Sequence, residues 1–183
     1  RGLMPSMDLS LLEKRAQQIR LVCFDVDGTL TDGRLYFDSD GREMKSFHVH
    51  DGQGLRLLED AGIAVAFITA RNSDAARARA KDLRLSHVFI GVKDKAECLR
   101  DLCKQLGIKL EHVAYMGDDL PDLAPMTLSG FSCAPSNAHT HVLAAVDWVI
   151  PKHSGDAAAR LLCDFILNAQ QKMPVPASHV VGA

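Results

Sequence analysis

The sequence has no excess of either charge, no long apolar run and few aromatic residues. Its 21 Lys and Arg residues stand against 23 Asp and Glu residues, which disfavours the strongly basic surface that holds a nucleic-acid backbone. No apolar run approaches the roughly 20 residues that span a bilayer, so we expect no membrane segment. Residues 1–7 contain no apolar core of a signal peptide. These absences favour a cytoplasmic protein.

The cysteines and histidines lack the spacing of metal or redox motifs. The five cysteines include no C-x-x-C pair, and most lie in apolar runs, which predicts reduced, buried thiols. His48 and His50, like His139 and His141, are two residues apart without a matching Cys/His set. Aromatic residues make up 5% of the chain, too few to suggest a platform for stacking bases. The sequence therefore predicts neither a disulfide framework, nor a zinc site, nor a nucleic-acid partner.

Short apolar runs alternate with longer helical stretches along most of the chain. Continuous apolar runs, typical of strands covered on both faces, predict strands at 20–24, 64–69, 88–91, 113–117, 130–134 and 147–150. Helices are predicted at 9–18, 54–60, 73–83, 95–106, 120–128, 138–144 and 156–171. Repeated strand–helix alternation implies right-handed crossovers. We therefore predict an α/β fold with a Rossmann-like, doubly wound parallel sheet.

The interval 33–50 breaks this alternation. Two apolar stretches, 35–37 and 44–49, flank the turn sequence Ser39-Asp40-Gly41, which predicts a β-hairpin projecting from the carboxyl edge of the sheet. We divide the chain into an N-terminal helical extension (1–18), one α/β domain (19–172) containing the hairpin, and a mobile, proline-containing tail (173–183).

Aspartates follow two of the predicted strands at the edge where sites form in α/β proteins. Asp25 and Asp27 come directly after the first strand, in Asp-x-Asp-Gly-Thr, and Asp118 and Asp119 follow the strand at 113–117. Converging carboxylates repel one another unless a cation neutralises them, and hard oxygen ligands select Mg²⁺. Such aspartates can also simply cap helices. Their recurrence at two strand ends favours a magnesium site.

Two further residues complete a constellation of the size of a phosphate group. Thr69 ends the second long strand, where its hydroxyl and nearby N–H groups could bind phosphoryl oxygens. Lys95 opens the next helix and supplies a positive charge. Each residue alone would be unremarkable. Together with the aspartates, at the ends of successive strand–helix units, they predict phosphate chemistry.

Four parts of the chain resemble, in order, the four motifs of the haloacid dehalogenase-like phosphatase superfamily. They are the segment DVDGT at 25–29, Thr69, Lys95 and the segment GDDLPD at 117–122. The resemblance implies that Asp25 attacks phosphorus to form an aspartyl-phosphate. Asp27 would protonate the leaving alcohol and then deprotonate water. Asp25, the Asp27 carbonyl and Asp118 would hold Mg²⁺, and Thr69 and Lys95 would stabilise the transferring oxygens.

The resemblance further implies that Asp119 and Asp122 orient Lys95 and metal-bound water rather than ligate the metal. The intervals from Asp25 to Thr69 and from Thr69 to Asp118 are already filled by the predicted elements. Neither interval has room for the cap domain that many relatives place over a small substrate. The site is therefore expected to be open, for a macromolecular substrate or for a cover supplied by another subunit.

Four segments, 31–36, 45–47, 51–54 and 68–71, resemble the capless branch of the superfamily that dephosphorylates 3-deoxy-D-manno-octulosonate 8-phosphate. That resemblance implies a homotetramer built through the hairpins, a neighbour's tail over the site, and a step in lipopolysaccharide precursor synthesis. Substrate contacts would come from Asp27, Thr69, Ala70, Arg71 and Lys95, with the Arg71 guanidinium suited to pairing with a sugar carboxylate. The segment 154–161 departs from the pattern of many members, retaining only Gly155, Ala158 and Arg160.

Alternatives remain open at this point. The same chemistry on a nonulosonate 9-phosphate is the nearest one, although relatives of that kind tend to carry an acidic residue at the place of Arg71. A phosphatase of proteins or nucleic acids would suit an open site but not the balanced charge. A non-catalytic assembly module of the same fold is disfavoured by the intact Asp25, Asp27, Lys95 and Asp118.

Overall fold

The computed structural model describes residues 8–174, so the predicted tail lies almost entirely outside the described residues. The strands are β1 (Leu21–Phe24), β2 (Tyr36–Phe37), β3 (Glu43–Met44), β4 (Ala64–Thr69), β5 (His87–Ile90), β6 (Val113–Met116), β7 (Phe131–Pro135) and β8 (Trp148–Ile150). The helices are α1 (Leu9–Gln17), α2 (Val49–Asp60), α3 (Asp74–Asp82), α4 (Lys95–Leu106), α5 (Leu123–Leu128), α6 (Thr140–Ala145) and α7 (Ala158–Ala169). All six predicted sheet strands are present.

Six strands form one parallel sheet in the order β5-β4-β1-β6-β7-β8. The central strand β1 pairs in register with β4 (Phe24 opposite Phe67) and with β6 (Phe24 opposite Met116). The chain first builds β4 and β5 on one side of β1 and then crosses to β6 on the other. This reversal places a crevice beside the carboxyl end of β1, which is where ligands bind in open α/β sheets.

Alternate residues of β1 enter two separate apolar cores. Val22 and Phe24 pack with α1, α2, α3 and α7 on one face, whereas Leu21 and Cys23 pack with α4, α5 and α6 on the other. All four side chains are fully buried. The continuous apolar runs of the sequence are explained by this two-sided burial. The predicted doubly wound α/β fold is confirmed, and no cap domain is inserted anywhere between residues 8 and 174.

The hairpin is present, but its second strand was predicted at the wrong place. β2 and β3 pair antiparallel with Tyr36 opposite Met44, while the stretch 45–48 is not a strand and α2 already begins at Val49. Two contacts explain the difference. The ring of Phe47 packs against the core with the Arg79 guanidinium 5.5 Å above it, and the Nδ1 atom of His48 caps α2 by accepting a hydrogen bond from the N–H of His50.

Helix α2 begins five residues earlier than predicted, and Gly54 inside it has a packing role. A Cβ atom at Gly54 would lie 2.9 Å from Cδ of Arg160 and 3.0 Å from the side chain of Cys163. Both partners belong to α7, so Gly54 allows α2 and α7 to approach closely. The low helix propensity of glycine obscured this turn in the sequence. The segment predicted as one helix at 120–128 is a 3-10 turn, Leu120–Asp122, followed by α5.

The divergent segment before α7 contacts the first loop of the sheet. Gly155 has a φ of +70°, and a Cβ atom there would lie 2.5 Å from the amide nitrogen of Asp32. Ala157, the residue before α7, offers no side-chain cap; instead Asp51 of α2 accepts a hydrogen bond from the N–H of Arg160 at 2.9 Å. The retained Gly155 and Arg160 therefore join the segment before α7 to the loop after β1, and α7 to α2.

The cysteines and the two histidine pairs all lie within the described residues. The five cysteines are free, four of them buried and Cys98 half-buried. The two histidine pairs are helix caps: His139 accepts from the N–H of His141 as His48 does from His50. Neither pair joins a cluster of three metal-ligating side chains in residues 8–174. None of the helices described is long and apolar enough to cross a membrane.

Candidate active site

The loop after β1 holds Asp25 and Asp27 at the sheet crevice. The N–H of Asp25 donates to the carbonyl of Met116 at 3.0 Å, which extends the pairing of β1 with β6 by one residue. The loop then closes tightly, because the N–H groups of Thr29, Leu30 and Thr31 all donate to the carbonyl of Val26. Asp25 is 5% exposed. The nucleophile predicted from the sequence is therefore fixed by the backbone of the central strand.

Gly28 is required in this loop for two reasons. Its φ of +81° lies in the left-handed region, which side chains disfavour. A Cβ atom there would also collide with the carboxylate of Asp118. Glycine at this position thus lets the loop after β1 and the loop after β6 approach each other.

Three carboxylates meet at this crevice. Ligand oxygens of Asp25, Asp118 and Asp122 lie within 4.8 Å of one another. Thr29 links two of them, since its hydroxyl lies 3.3 Å from Asp118 and 3.5 Å from Asp25. The group brings together the ends of β1 and β6, as the sequence predicted for Asp25 and Asp118.

Asp122 is occupied by donors on both of its oxygens. Oδ2 accepts from the N–H groups of Asp118 at 3.0 Å and Asp119 at 3.2 Å. Oδ1 accepts from the Tyr115 hydroxyl at 3.1 Å and from Lys95 at 2.8 Å. Asp122 is 1% exposed. Asp122 therefore links the loop after β6 to Lys95.

Lys95 begins α4, whose preceding residue Asp94 caps the helix by accepting from the N–H of Glu97. Its Nζ atom bridges Asp25 at 2.7 Å and Asp122 at 2.8 Å, and its side chain is 5% exposed. Although burial opposes the charged form, the two carboxylates raise the pKa of Lys95. The ammonium group therefore stays charged beside Asp25.

The carboxylates perturb one another's ionisation. Burial, followed by the charge of Asp122, raises the pKa of Asp25 well above its usual range. Burial chiefly, and the charges of Asp122 and Asp119, raise the pKa of Asp118 to about 6. A divalent cation among these oxygens would counter that repulsion. An all-oxygen donor set of this charge fits a hard cation such as Mg²⁺.

Asp119 has a different role from Asp122, with which the sequence grouped it. Its exposed side chain accepts from the N–H of Leu120 at 2.8 Å, and it forms a capping box with Asp122 at the start of the 3-10 turn. Among the described residues, Lys95 is contacted by Asp122 and Asp25 and not by Asp119. Asp119 thus acts on Lys95 only through the loop.

The phosphate-binding candidates of β4 lie beside β1. Thr69 is 1% exposed at the carboxyl end of β4, and its carbonyl accepts from the N–H of Val92 at 3.0 Å. Ala70 and Arg71 follow at the surface. In the described chain the Thr69 hydroxyl makes no hydrogen bond to Asp25, Lys95 or Asp118. Thr69 thus lies at the same sheet edge as Asp25 without a hydrogen bond between the two side chains among the described residues.

Asp27 belongs to a second group of charges, which the sequence did not reveal. Its Oδ1 atom pairs with the Lys45 ammonium, which also pairs with Glu43. Glu43 in turn pairs with Arg71, whose Nε atom lies 3.9 Å from Oδ2 of Asp27. In the sequence, Lys45 lies in a segment that resembles the family, and nothing there indicates a role for Glu43. No local pattern marks such partners, because they come from separate parts of the chain.

The chain is similar to known hydrolases over nearly its whole length. The profile of the haloacid dehalogenase-like hydrolase family matches residues 88–162. The 3-deoxy-D-manno-octulosonate 8-phosphate phosphatase KdsC of Haemophilus influenzae is 42% identical over 164 residues, or 90% of this chain and 91% of that one. A hypothetical protein from Xanthomonas campestris is 48% identical and superposes with a TM-score of 0.90 over 100% of both chains.

A further solved structure carries ligands. It is the 3-deoxy-D-manno-octulosonate 8-phosphate phosphatase of Moraxella catarrhalis in complex with a magnesium ion, a phosphate ion and KDO. It is 41% identical to this chain, with a TM-score of 0.87, and the match covers 90% of this chain and 94% of that one. The likeness thus includes both sequence and fold.

Proposed function

The chain belongs to the haloacid dehalogenase-like hydrolases as a phosphoric monoester hydrolase, and from that premise we propose that it hydrolyses 3-deoxy-D-manno-octulosonate 8-phosphate to the free sugar acid and phosphate. The observation that carries the proposal is the buried contact of Lys95 with Asp25 beside Asp118, at the switch point of the sheet. The names of the relatives support the choice of substrate. The reaction would belong to lipopolysaccharide precursor synthesis.

The proposed reaction has two steps. An oxygen of Asp25 bonds to phosphorus as the bond from phosphorus to the sugar oxygen breaks, and Asp27 gives its proton to that oxygen. Water then attacks the aspartyl-phosphate while Asp27 takes the water's proton, which releases phosphate and restores Asp25. Lys95 holds Oδ1 of Asp25 at 2.7 Å, so it orients the nucleophile and offers positive charge to the transferring group.

The donor set fits Mg²⁺, and we assign Asp25, Asp118 and the backbone carbonyl of Asp27 as its ligands. Asp122 completes the carboxylate cluster but already accepts four hydrogen bonds, so we assign it to holding Lys95 and the loop. When bound, Mg²⁺ would offset the charge of the carboxylates and of the phosphate group.

Substrate contacts are proposed at the end of β4. The Thr69 hydroxyl and the backbone N–H groups at Thr69 and Ala70 are suited to phosphate oxygens, with Lys95 opposite. Arg71 is half-exposed at the mouth of the crevice, where a guanidinium can pair with a sugar carboxylate through two hydrogen bonds. This arrangement favours a small acidic sugar phosphate over a neutral one.

We also propose that the chain assembles as a homotetramer through its hairpin. Leu35, Tyr36, Phe37 and Met44 expose between 42% and 57% of their surface. Exposed apolar side chains beside a two-stranded edge are costly in water, and a closed arrangement of hairpins would cover them. A second subunit could then cover the open site. The tail predicted to help lies outside the described residues.

A phosphate-release screen tests the proposed function. The substrates are 3-deoxy-D-manno-octulosonate 8-phosphate, a nonulosonate 9-phosphate, p-nitrophenyl phosphate and a phosphopeptide, each with Mg²⁺ and with excess chelator. We expect the octulosonate ester to give the highest kcat/KM, and only with Mg²⁺. A higher value for the nonulosonate or the phosphopeptide would assign the enzyme to that substrate instead, and no release from any ester would support an assembly module.

A further inference from the structure

The hairpin supplies a buried cation to the acid–base aspartate. Lys45 follows β3 by one residue, and its side chain is 0% exposed. Its ammonium pairs with Oδ1 of Asp27 and with Oε1 of Glu43. A buried ammonium is stable only when it is paired, and both of its partners here are carboxylates. The hairpin and the catalytic loop are therefore joined by charge.

Glu43 fixes the other end of this group. Its Oε1 atom also accepts from the Ser73 hydroxyl at 3.2 Å, and Oε2 accepts from the Arg71 guanidinium. Partial burial disfavours its charge, but hydrogen bonds from Lys45 and Arg71 outweigh that effect and lower the pKa of Glu43 to about 2. Glu43 thus remains an anion in all ordinary buffers.

The two oxygens of Asp27 are not equivalent as a result. Oδ1 is held by Lys45, whereas Oδ2 is buried and has no hydrogen-bond partner among the described residues. A buried acceptor without a hydrogen-bond partner is unfavourable, and Arg71, whose Nε atom lies 3.9 Å away, is too distant to supply one. The leaving oxygen of a substrate, or the water that later attacks, would supply that partner.

We propose that Lys45, anchored by Glu43, is a positioning residue that holds Oδ1 of Asp27 and so directs Oδ2 toward the reacting oxygen. The inference rests on the proposed function, since it assigns a supporting residue to the same acid–base step. A merely structural ion pair would predict loss of stability alone. A positioning role predicts that the loss falls on proton transfer to the leaving group.

Leaving-group dependence separates these two roles. The octulosonate ester leaves as an alkoxide that needs a proton, whereas p-nitrophenolate leaves without one. We expect Lys45→Met to lower kcat on the octulosonate ester by roughly tenfold to a hundredfold, which is less than or equal to the smallest typical contribution of general acid–base catalysis, because Asp27 itself is retained. Single-turnover release of nitrophenolate, with enzyme in excess, should keep the wild-type rate. Lys45→Arg should restore part of the loss, and the exposed Lys104→Met serves as control.

A double-mutant comparison gives the decisive result. If Lys45 acts through Asp27, then Asp27→Asn combined with Lys45→Met should be no slower than Asp27→Asn alone. Equal losses on both esters, or additive losses in the double variant, would overturn the inference. Should melting curves show Lys45→Met unfolded, Glu43→Gln carries the same comparison.

Failure of the proposed function gives a different result. In that case the wild-type enzyme does not hydrolyse the octulosonate ester, and the comparison is made on another alkyl phosphate that it does hydrolyse.

Discussion

The ammonium nitrogen of Lys95 lies 2.7 Å from Oδ1 of Asp25, and both side chains are more than nine-tenths buried. Removing one partner from such a pair leaves a charge without compensation, which typically costs about 3–5 kcal/mol. A substitution that breaks this contact would therefore lower stability as well as activity. A variant of the nucleophile is informative only if it keeps the hydrogen bond from Lys95.

Asp25→Asn meets that requirement and should abolish turnover. The amide oxygen still accepts from Lys95, and one of the crowded carboxylate charges is removed, so we expect a melting temperature no lower than that of the wild type. An amide cannot attack phosphorus, so phosphate release should fall to background. The matched control is Asp40→Asn in the exposed hairpin turn. Near-wild-type turnover, with deamidation excluded by mass spectrometry, would disprove the assignment.

Asp118→Asn should weaken the binding of Mg²⁺. The variant keeps the shape of the side chain beside Gly28 but removes a ligand charge. Even loss of a residue that only supports a metal ligand typically costs about 10–100-fold in affinity, so for a direct ligand we expect the half-saturating Mg²⁺ concentration to rise by at least about tenfold. Ca²⁺ should support little turnover, because its longer and looser coordination misplaces the phosphate group. An unchanged titration, or full activity in excess chelator, would contradict the assignment.

Arg71→Lys should impair recognition of the sugar acid. Lysine keeps the charge but cannot form two parallel hydrogen bonds to a carboxylate. A hydrogen bond to a charged group contributes about 1.5–3 kcal/mol, so KM for the octulosonate ester should rise roughly tenfold to a hundredfold. The constants for p-nitrophenyl phosphate should not change. Arg77→Lys on the exposed face of α3 is the control, and an equal rise in KM for both esters would count against the proposal.

Phe37→Glu should dissociate the proposed tetramer. The ring is 55% exposed on β2, so the substitution creates no cavity. Phe47, which the sequence placed on the same edge, is unsuitable because it packs against the core. Light scattering should show smaller particles for the variant, with activity reduced more on the sugar ester than on p-nitrophenyl phosphate. Leu9→Glu, at an exposed position of α1, is the control. A wild-type enzyme that is fully active as a monomer would refute the assembly.

Asp51 offers a test that is independent of catalysis. Burial raises the pKa of Asp51 from its ordinary 3.8, an effect opposed by the Arg160 N–H and by the nearby His48, Arg79 and His50. The folded state therefore binds the proton more tightly than the unfolded state, and stability falls as pH rises from 3.8 through the higher folded value.

Asparagine at position 51 cannot ionise but can still cap α7. The stability of Asp51→Asn relative to the wild type should therefore increase between pH 3 and pH 7, as measured by urea unfolding. Asp51→Ala should be about 1 kcal/mol less stable than Asp51→Asn at both pH 3 and pH 7, because the Arg160 N–H loses its acceptor. A difference between Asn and Asp that does not vary with pH would contradict this explanation.

The sequence was informative wherever burial or chemistry repeats along the chain. Strands such as β1 are apolar at every position because both faces are covered, and Asp25 and Asp118 were recognisable because each follows such a strand. The start of α2 was not predictable, because Gly54 lowers the helix propensity of that segment. Glycine is needed there because the side chains of α7 leave no room for a Cβ atom. The ion pairs of Glu43 with Arg71 and of Lys45 with Asp27 could not be predicted from a local sequence pattern, because each pair connects distant segments.

Strand β1 is hydrogen-bonded to β4 on one side and to β6 on the other, with both of its faces covered. Its amide hydrogens can therefore exchange with deuterated water only when the whole sheet opens, whereas those of the two-residue strands β2 and β3 can exchange through local opening. We therefore expect slow exchange in the segment directly before Asp25 and fast exchange in the segment directly before Lys45. The proposed nucleophile and the residue that supports the proposed acid–base aspartate are thus expected at opposite ends of the molecule's range of local stability.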